Sequence, residues 1–481
     1  MTSIWKNYNA SLSYDGYFTD SNKLRRHAKI ISSILEKYGN KKLYEIEKNC
    51  QSTISARGIN FRVYAANNIA EDKKWPLDII PRIIPRSQWI KISKGLIQRA
   101  KALNLFIDDV YNEGKIFKDK IIPKDIVFKS KYYLKECKNF SPKFKVWSNI
   151  SGIDLIRNIF GDYLVLEDNL RVPSGVSYML ENRMVMHDVF PELFTRYRVS
   201  PIHQYTNKLY NCMHECITKK SKDPHMVVLT PGIYNSAYFE HSFLAEQMGI
   251  ALAEGKDLFV KNDIVFMKTV TGPLKVDCIY RRIDDNFLDP KVFYKKSLLG
   301  VPGLFKCWIK GNVSILNAPG TGFADDKAVY AYVEKIISYY LNEQPILRQV
   351  ETFLCNDKKQ RDYVITNIKK LVVKPTDGSG GSGIMIGPKA PTKEINEFIR
   401  KIKNNPSNYI AQPLEILSTV PTISKDGIDP RHVDLRPFVL SGKTMYVSAG
   451  GLTRVALRKG STIVNSSKGG GSKDTLIING Y

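Results

Sequence analysis

The sequence predicts an α/β protein built from more than one folding unit. Its 481 residues exceed what one hydrophobic core usually serves. The run HMVVLTPG (225–232) is continuously apolar and ends in Pro-Gly, the pattern of a strand buried on both faces of a parallel sheet. SAYFEHSFLAEQMGI then reads as a helix, followed by short strands at 257–268 and 276–280. This alternation predicts an α/β unit over residues 222–320.

The remaining elements follow in chain order. Residues 20–125 read mostly helical, with KGLIQRAKALNLFIDDV placing apolar residues at helical spacing and Pro81, Pro85 and Pro123 as punctuation. Residues 150–180 change to strand-and-turn texture. Asp325 is placed to cap a helix that runs to Leu341. Residues 371–374 and 384–387 read as two strands around a glycine-rich turn. KEINEFIRKI (393–402) carries Ile395, Phe398, Ile399 and Ile402 at i, i+3, i+4 and i+7, an amphipathic helix. YIAQP (409–413), LRPFVL (435–440) and TMYVSAGG (444–451) read as strands.

Composition narrows the class. A hydrophobic fraction of 43% and a charged fraction of 25% are those of a globular protein. No stretch has the uninterrupted apolar length of a membrane span, and MTSIWKNYNASLSYDG lacks a secretion pattern, so cytoplasm is the expected location. Seven cysteines in this length do not make a disulfide framework. The pair in Cys212-Met-His-Glu-Cys216 has no matching Cys/His pair at finger spacing, so packed thiols are expected rather than zinc. The net charge of +25 fits an anionic partner or a basic compositional drift. The lysines are scattered, with no RNP motif, finger or basic arm, so nucleic acid is not the expected partner.

The densest chemistry lies in LVVKPTDGSGGSGIMIG (371–387). Gly378 to Gly383 spells G-x-G-x-x-G, but a dinucleotide loop must open a helix, and here Ile-Met-Ile-Gly-Pro follows. A Walker A loop needs Gly-Lys-Ser/Thr at its end, and Gly383 is followed by Ile384. What remains is a hairpin tip of Gly378, Ser379, Gly380, Gly381, Ser382 and Gly383, with Lys374 at the end of the first strand. Such a tip lets backbone N–H groups approach phosphate oxygens, and the lysine adds a point charge. The alternative is a structural turn.

A second constellation comprises Asp154 in SGIDLIRN and Glu167 and Asn169 in YLVLEDNLRVPSG. A hairpin turning at Gly161-Asp162 would point the three side chains at one place. Two carboxylates and an amide oxygen suit a hard cation such as Mg²⁺, which also takes phosphate oxygens. Alternatively, these residues mark strand ends.

Taken together, VLEDNLRVPSGVSYMLENR, TPGIYNSAYFEHSFLA, YRRIDDNFLDP, TGFADDKAVYAYV, KPTDGSGGSGI, PRHVDLRPFVL and GGLTRVALRKGSTIVNSSKGGGSKDT resemble the circularly permuted ATP-grasp proteins of type 2, a family labelled glutathionylspermidine-synthase-like. The resemblance covers nearly the whole chain. It implies a permuted ATP-grasp fold with a helical N-terminal region (1–140), a metal-binding part of the core (141–220), a Rossmann-like pre-ATP-grasp unit (221–320), and a lid and nucleotide-binding part (321–481). Glu167 and Asn169 precede Lys374 here, the reverse of the order in ordinary ATP-grasp ligases.

The resemblance also implies roles. Lys327 and Lys374 resemble the two phosphate-binding lysines, and Gly378–Gly383 the lid. Asp154, Glu167 and Asn169 resemble ligands of magnesium, with two ions expected. Arg436 and Arg454 resemble the arginines aimed at the transferred phosphate. Gln412 lies where a hinge strand meets adenine; the Glu that usually follows it is replaced by Pro413, with Glu415 two positions on. Arg171, Ser174 and Gly175 fall where related ligases hold the acceptor or the reacting carboxylate.

Other site candidates come from the residues alone. Arg281 and Arg282 are candidates for a carboxylate clamp or for surface strand residues. Lys473 lies in a second glycine-rich stretch, SSKGGGSKDT (466–475), which reads as a loop closing on the site or as a flexible end. His432 is a candidate base or a strand-end residue. The implied activity is an ATP-dependent carboxylate–amine ligase using an acylphosphate, with small-molecule or peptide substrates. A non-catalytic ATP-binding scaffold and a basic nucleic-acid-binding protein are the alternatives.

Overall fold

The computed structural model describes residues 4–10, 13–64, 70–219, 221–378, 383–424, 427–462, 464 and 470–479. Helix α1 (Lys29–Ala56) leads into a hairpin of Asn60–Tyr64 with Ala70–Lys74, then strand β1 (Leu77–Pro85) and helix α2 (Arg86–Tyr111). Strands β2 (Ile150–Arg157) and β3 (Tyr163–Asn169) form the expected hairpin, and α3 (Val176–Val189) follows. The next unit contains β4 (Met226–Leu229), α4 (Tyr238–Met248), β5 (Ala251–Ala253), β6 (Cys278–Arg281) and β7 (Ser314–Leu316). After α5 (Val333–Leu341) come β8 (Arg348–Gln349), β9 (Phe353–Leu354), β10 (Leu371–Pro375), β11 (Met385–Ile386), α6 (Thr392–Asn404) and β12 (Tyr409–Pro413). The chain closes with β13 (Thr419–Ser424), β14 (Gly427–Ser441), β15 (Met445–Val455) and β16 (Gly471–Asn479).

Of the five sheets among the described residues, three position the numbered strands. The largest has the order β8-β3-β2-β14-β15-β16-β1, with β13 on β14 and Arg198–Val199 on β16. One face of it packs on α2: Ile153, Leu155, Val165, Leu435 and Ile477 form one core with Trp89, Ile92 and Leu96. Asp168 belongs to this face and receives two hydrogen bonds from buried Arg99, Nε to Oδ1 at 2.7 Å and Nη2 to Oδ2 at 2.6 Å. Strand alternation turns Asp154, Glu167, Asn169, Asp434 and Arg436 to the opposite face. The second sheet, β7-β6-β4-β5, is parallel throughout, as the buried apolar run of β4 predicts. The third, β9-β12-β10-β11, is antiparallel and carries α6 through Ile395, Phe398 and Ile402. The mixed architecture and these sheets are those of the expected permuted α/β fold.

The structure corrects four local expectations. Residues 60–64, 70–74 and 77–85 are strands rather than helix: all nine residues of β1 are buried, because β1 pairs in parallel with β16 from the far end of the chain. Lys473 is neither in a loop nor in a flexible end. It lies in β16, fully buried, donating to Asp78 and to the carbonyls of Ile80 and Pro421. Arg281 neither clamps a substrate nor lies on the surface. It is buried at the end of β6, where it donates to the carbonyls of Asn317, Ile283 and Ala318 and pairs with Asp285. Asp326, not Asp325, is the cap, accepting from Ala328 N at 2.8 Å. Asp325 instead accepts from Leu170 N and from Arg171 Nε.

The seven cysteines are buried and free, and no group of three or more His, Cys, Asp or Glu suits a metal among the described residues. No described helix is long and apolar enough to cross a membrane.

Candidate active site

A cavity of about 800 Å³ opens between the polar face of the large sheet and the third sheet, with the parallel-sheet unit closing one end. Its lining contains Asp154, Glu167, Asn169, Arg171, Ser174, Arg282, Lys327, Lys374, Gly378, Gln412, Glu415, Arg436 and Arg454. Positions spread over 300 residues of sequence thus meet in one place. Ser379, Gly380, Gly381 and Ser382 lie outside the described residues. Gly383 does not line the cavity. Gly175 does not line it either: its N–H donates to Glu240 Oε2 at 2.7 Å, at the start of α3.

The arginines form a buried network on the large sheet. Asp154 is paired in register with Glu167, and Asp434 lies opposite Arg454. Arg436 grips Asp154 through Nε to Oδ1 at 2.5 Å and Nη2 to Oδ2 at 2.8 Å, and its Nη1 donates to Ser174 O. Arg454 Nη2 bridges Asp154 Oδ2 (2.7 Å) and Asp434 Oδ2 (2.5 Å). Burial pushes the Asp154 carboxyl up, but Arg436 and Arg454 outweigh it and hold it at about 2. Burial keeps Asp434 above its usual range despite Arg454.

The lysines approach from the other wall. Lys374, on β10, donates to Gln412 Oε1 on β12 at 2.5 Å, and Gln412 Nε2 donates to Thr352 Oγ1. Lys327 donates to Gly378 O at 2.6 Å and lies 3.1 Å from Glu167 Oε1. It therefore ties the base of the glycine tip to the large sheet. Burial pushes the Lys374 ammonium down to about 8; Glu167 opposes this and Lys327 adds to it.

Donors for a cation are present in part. Asn169 Nδ2 is buried without a hydrogen-bond partner. Rotating that amide by half a turn puts its oxygen in the same position. Glu167 Oε2 is not part of the Lys327 pair. One carboxylate and one amide oxygen beside a phosphate site fit Mg²⁺, which keeps several waters and phosphate oxygens of its own. Both oxygens of Asp154, the third expected ligand, are held by arginines instead.

The far end of the cavity was less legible. Arg171 donates through Nε to Asp325 Oδ2 at 2.7 Å and through Nη1 to Asp284 Oδ2 at 3.1 Å, and it stacks on Tyr132 at 4.2 Å. Arg282 is buried among Pro173 O, Tyr280 Oη and Glu240 Oε1. Asp284, Asp325 and His241 also line this end. The DD pairs at 284–285 and 325–326 were visible in sequence, but nothing there distinguishes the member that faces the cavity. His432 does not line it; its Nδ1–H donates to Leu417 O.

The comparisons with known proteins bear on this geometry. The family model for circularly permuted ATP-grasp type 2 matches residues 81–456, which hold every lining residue named above. The chain belongs to this family. Within reach of it are an uncharacterized protein of Synechocystis sp., 49% identical over 91% of both chains, and an uncharacterized protein of Mycobacterium tuberculosis, 47% identical over 85% of this chain and 74% of that one. A Frankia casuarinae protein named provisionally as glutamate–cysteine ligase 2-2 is 39% identical over 96% of this chain. This chain spans 53% of that protein's length. The solved structure of a glutathione synthetase like-effector (GSS30) from Globodera pallida, in apoform, superposes with a TM-score of 0.55, covering 91% of this chain and 98% of that one. At 11% identity this likeness concerns the fold alone.

Proposed function

We propose that this ATP-grasp protein is an ATP-dependent carboxylate–amine ligase that works through an acylphosphate and releases ADP and phosphate. The observation that carries the reading is the convergence of Lys327, Lys374, Arg436 and Arg454 on one cavity, whose other end holds Arg171, Arg282 and Asp284. Four cations suit a polyphosphate and the charge that develops as its terminal group is transferred. The adenine lies near Gln412, Leu414 and Glu415, where Pro413 contributes no N–H.

In the first step an oxygen of the substrate carboxylate attacks the γ-phosphorus. The bond to the bridging oxygen breaks, ADP leaves, and an acylphosphate remains. Lys374 and Lys327 hold the phosphate oxygens, and Arg436 and Arg454, already oriented by Asp154 and Asp434, meet the transferred group. In the second step the amine nitrogen attacks the acyl carbon, phosphate leaves with the bonding pair, and the nitrogen gives up a proton. Magnesium would be held by Glu167 and Asn169 and supplies charge neutralisation across the phosphates. The donors free of arginine suffice for one ion. Positioning and charge do most of the work in phosphoryl transfer, which matches a site without a nucleophilic side chain in these roles.

The substrates are a small-molecule or peptide carboxylate and an amine. The test is ADP release from mixed pools of acids and amines. Release that needs both an acid and an amine is the expected result. Turnover indifferent to added amine would sink the ligase reading.

Lys374 also predicts a pH dependence. Its ammonium is charged below about 8 and loses its proton above, so affinity for ATP is expected to fall as pH rises through about 8. Lys374→Arg, whose guanidinium stays charged, is expected to remove that step. Titration with a fluorescent ATP analogue from neutral to alkaline pH measures both. A step that persists in the arginine variant would show that another group titrates.

A further inference from the structure

We propose that His241 donates a hydrogen bond from Nε2 to the oxyanion that forms when the amine attacks the acylphosphate. The proposal rests on the ligase reading and adds to it a catalytic residue for the second step. His241 lies in the first turn of α4 and is only 1% exposed, yet it lines the cavity. Its Nδ1 is 2.9 Å from Thr230 Oγ1, just past the end of β4. Its Nε2 has no hydrogen-bond partner among the described residues, and it is not one of the unpartnered polar atoms sealed in the interior. The imidazole thus turns its free nitrogen to the cavity that the residue lines. Thr230 decides which form of the ring this is. Its hydroxyl is buried and accepts from Gly232 N at 3.2 Å. The hydroxyl proton then has one acceptor among its partners, His241 Nδ1. A neutral ring that accepts at Nδ1 carries its own proton on Nε2. Burial, with Arg282 adding to it, holds the imidazole well below its usual range of protonation, so the ring is neutral and Nε2 is a donor.

Contacts across one short segment bring this donor to the reacting part of the site. Arg436, which meets the transferred group, donates to Ser174 O at 3.2 Å. From the other side, Glu240 Oε2 accepts from Gly175 N at 2.7 Å, and Arg282 Nη1 donates to Pro173 O at 2.7 Å. Residues 173–175 are therefore clasped between Arg436 and the helical turn that carries Glu240 and His241. Ser174, in the middle, also lines the cavity. When the amine nitrogen attacks, it bonds to the acyl carbon and the carbonyl π pair moves onto oxygen. That oxygen accepts from His241 Nε2–H. The pair then returns, phosphate leaves with the electrons of the broken C–O bond, and the nitrogen loses a proton to the departing phosphate. A fixed donor aimed at this oxygen acts where charge develops and needs no reorganisation. A neutral imidazole polarises such an oxygen without giving up its proton. Service as the base for the amine would need a free pair on Nε2, which this tautomer lacks.

Two measurements on the full chain test this. The first is the ring-nitrogen NMR spectrum of histidine-labelled protein, with the His241 signals assigned by their loss in His241→Phe. A neutral ring protonated on Nε2 is expected. Thr230→Val, which removes the hydroxyl that donates to Nδ1, is expected to move the signature toward the other tautomer. A ring protonated on Nδ1 alone, or on both nitrogens at neutral pH, overturns the proposal. The second is steady-state turnover with ATP, magnesium and the acid and amine pools that give ADP release. His241→Phe keeps the bulk of the ring and removes the donor. It is expected to lower kcat by roughly 100- to 1,000-fold, the cost of losing one oxyanion donor, with KM for acid and amine little changed. Unchanged affinity for ATP shows that the variant is folded. His241→Gln, whose amide N–H can stand near the place of Nε2, is expected to recover part of the loss. A raised KM at unchanged kcat would assign His241 to substrate binding and overturn the proposal, as would full turnover in the phenylalanine variant. Amine-dependent turnover of the unaltered protein separates the two readings. Its absence removes the ligase reading and this one with it, whereas turnover that His241→Phe leaves intact removes only this one.

Discussion

Asp154→Asn is expected to lower the stability of the protein by about 3 kcal/mol, the lower end of the cost of removing one partner from a buried ion pair. Asp154 is 2% exposed and accepts from both Arg436 and Arg454. Asparagine keeps the shape and removes the charge. Arg454 retains Asp434, but Arg436 then has no carboxylate partner. Its side chain is 14% exposed, which is why the lower figure applies. Guanidinium denaturation of the two proteins measures the difference. The same pairing sets an acid limit. The Asp154 carboxyl is held at about 2 against an ordinary 3.8, so its contribution is complete above 3.8 and is lost as pH falls through about 2. An unchanged midpoint for Asp154→Asn would mean that the arginines do not depend on it. Activity is expected to fall with it, because the two guanidinium groups lose the carboxylate that orients them.

Lys374→Met is expected to weaken ATP binding by roughly 10- to 150-fold, the range of a charge-assisted hydrogen bond worth about 1.5–3 kcal/mol. The same variant is not expected to be less stable. Burial already pushes the Lys374 ammonium down to about 8, so the folded protein holds this charge at a cost, and methionine fills similar space without it. A lysine kept for packing would give the opposite pattern, with lost stability and unchanged nucleotide affinity. Calorimetric titration with ATP and magnesium, set beside a denaturation curve, distinguishes the two.

Particular residues show what the sequence made legible. β4, α6 and the strands flanking the glycine turn are legible because each carries a local signal: a continuous apolar run, a helical period, and short apolar runs on either side of the glycines. Glu167 and Asn169 share a face because strand side chains alternate, and that alternation is local. What escaped was set by distant pairing. β1 and β16 lie at opposite ends of the chain, and neither reveals its partner. The stretch before Lys473 reads as a loop from its glycines, yet Gly471 opens β16 and pairs in register with Val455. Adjacent Arg281 and Arg282 look equivalent in sequence. At the end of β6 they point to opposite sides, one into the parallel-sheet unit and the other toward the cavity. Asp154 was read from its residue type as a metal ligand. The arginines that hold its oxygens stand hundreds of residues later, so their claim on it emerges only from the fold.

The central claim is that the cavity between the two sheets holds ATP with its phosphates at Lys327 and Lys374. A crystal structure with magnesium and a non-hydrolysable ATP analogue tests it most directly. The account predicts the adenine near Gln412 and Glu415, the phosphates against both lysines, the terminal phosphate facing Arg436 and Arg454, and a cation at Glu167 and Asn169. A nucleotide bound elsewhere, or its phosphates turned away from both lysines, would contradict it.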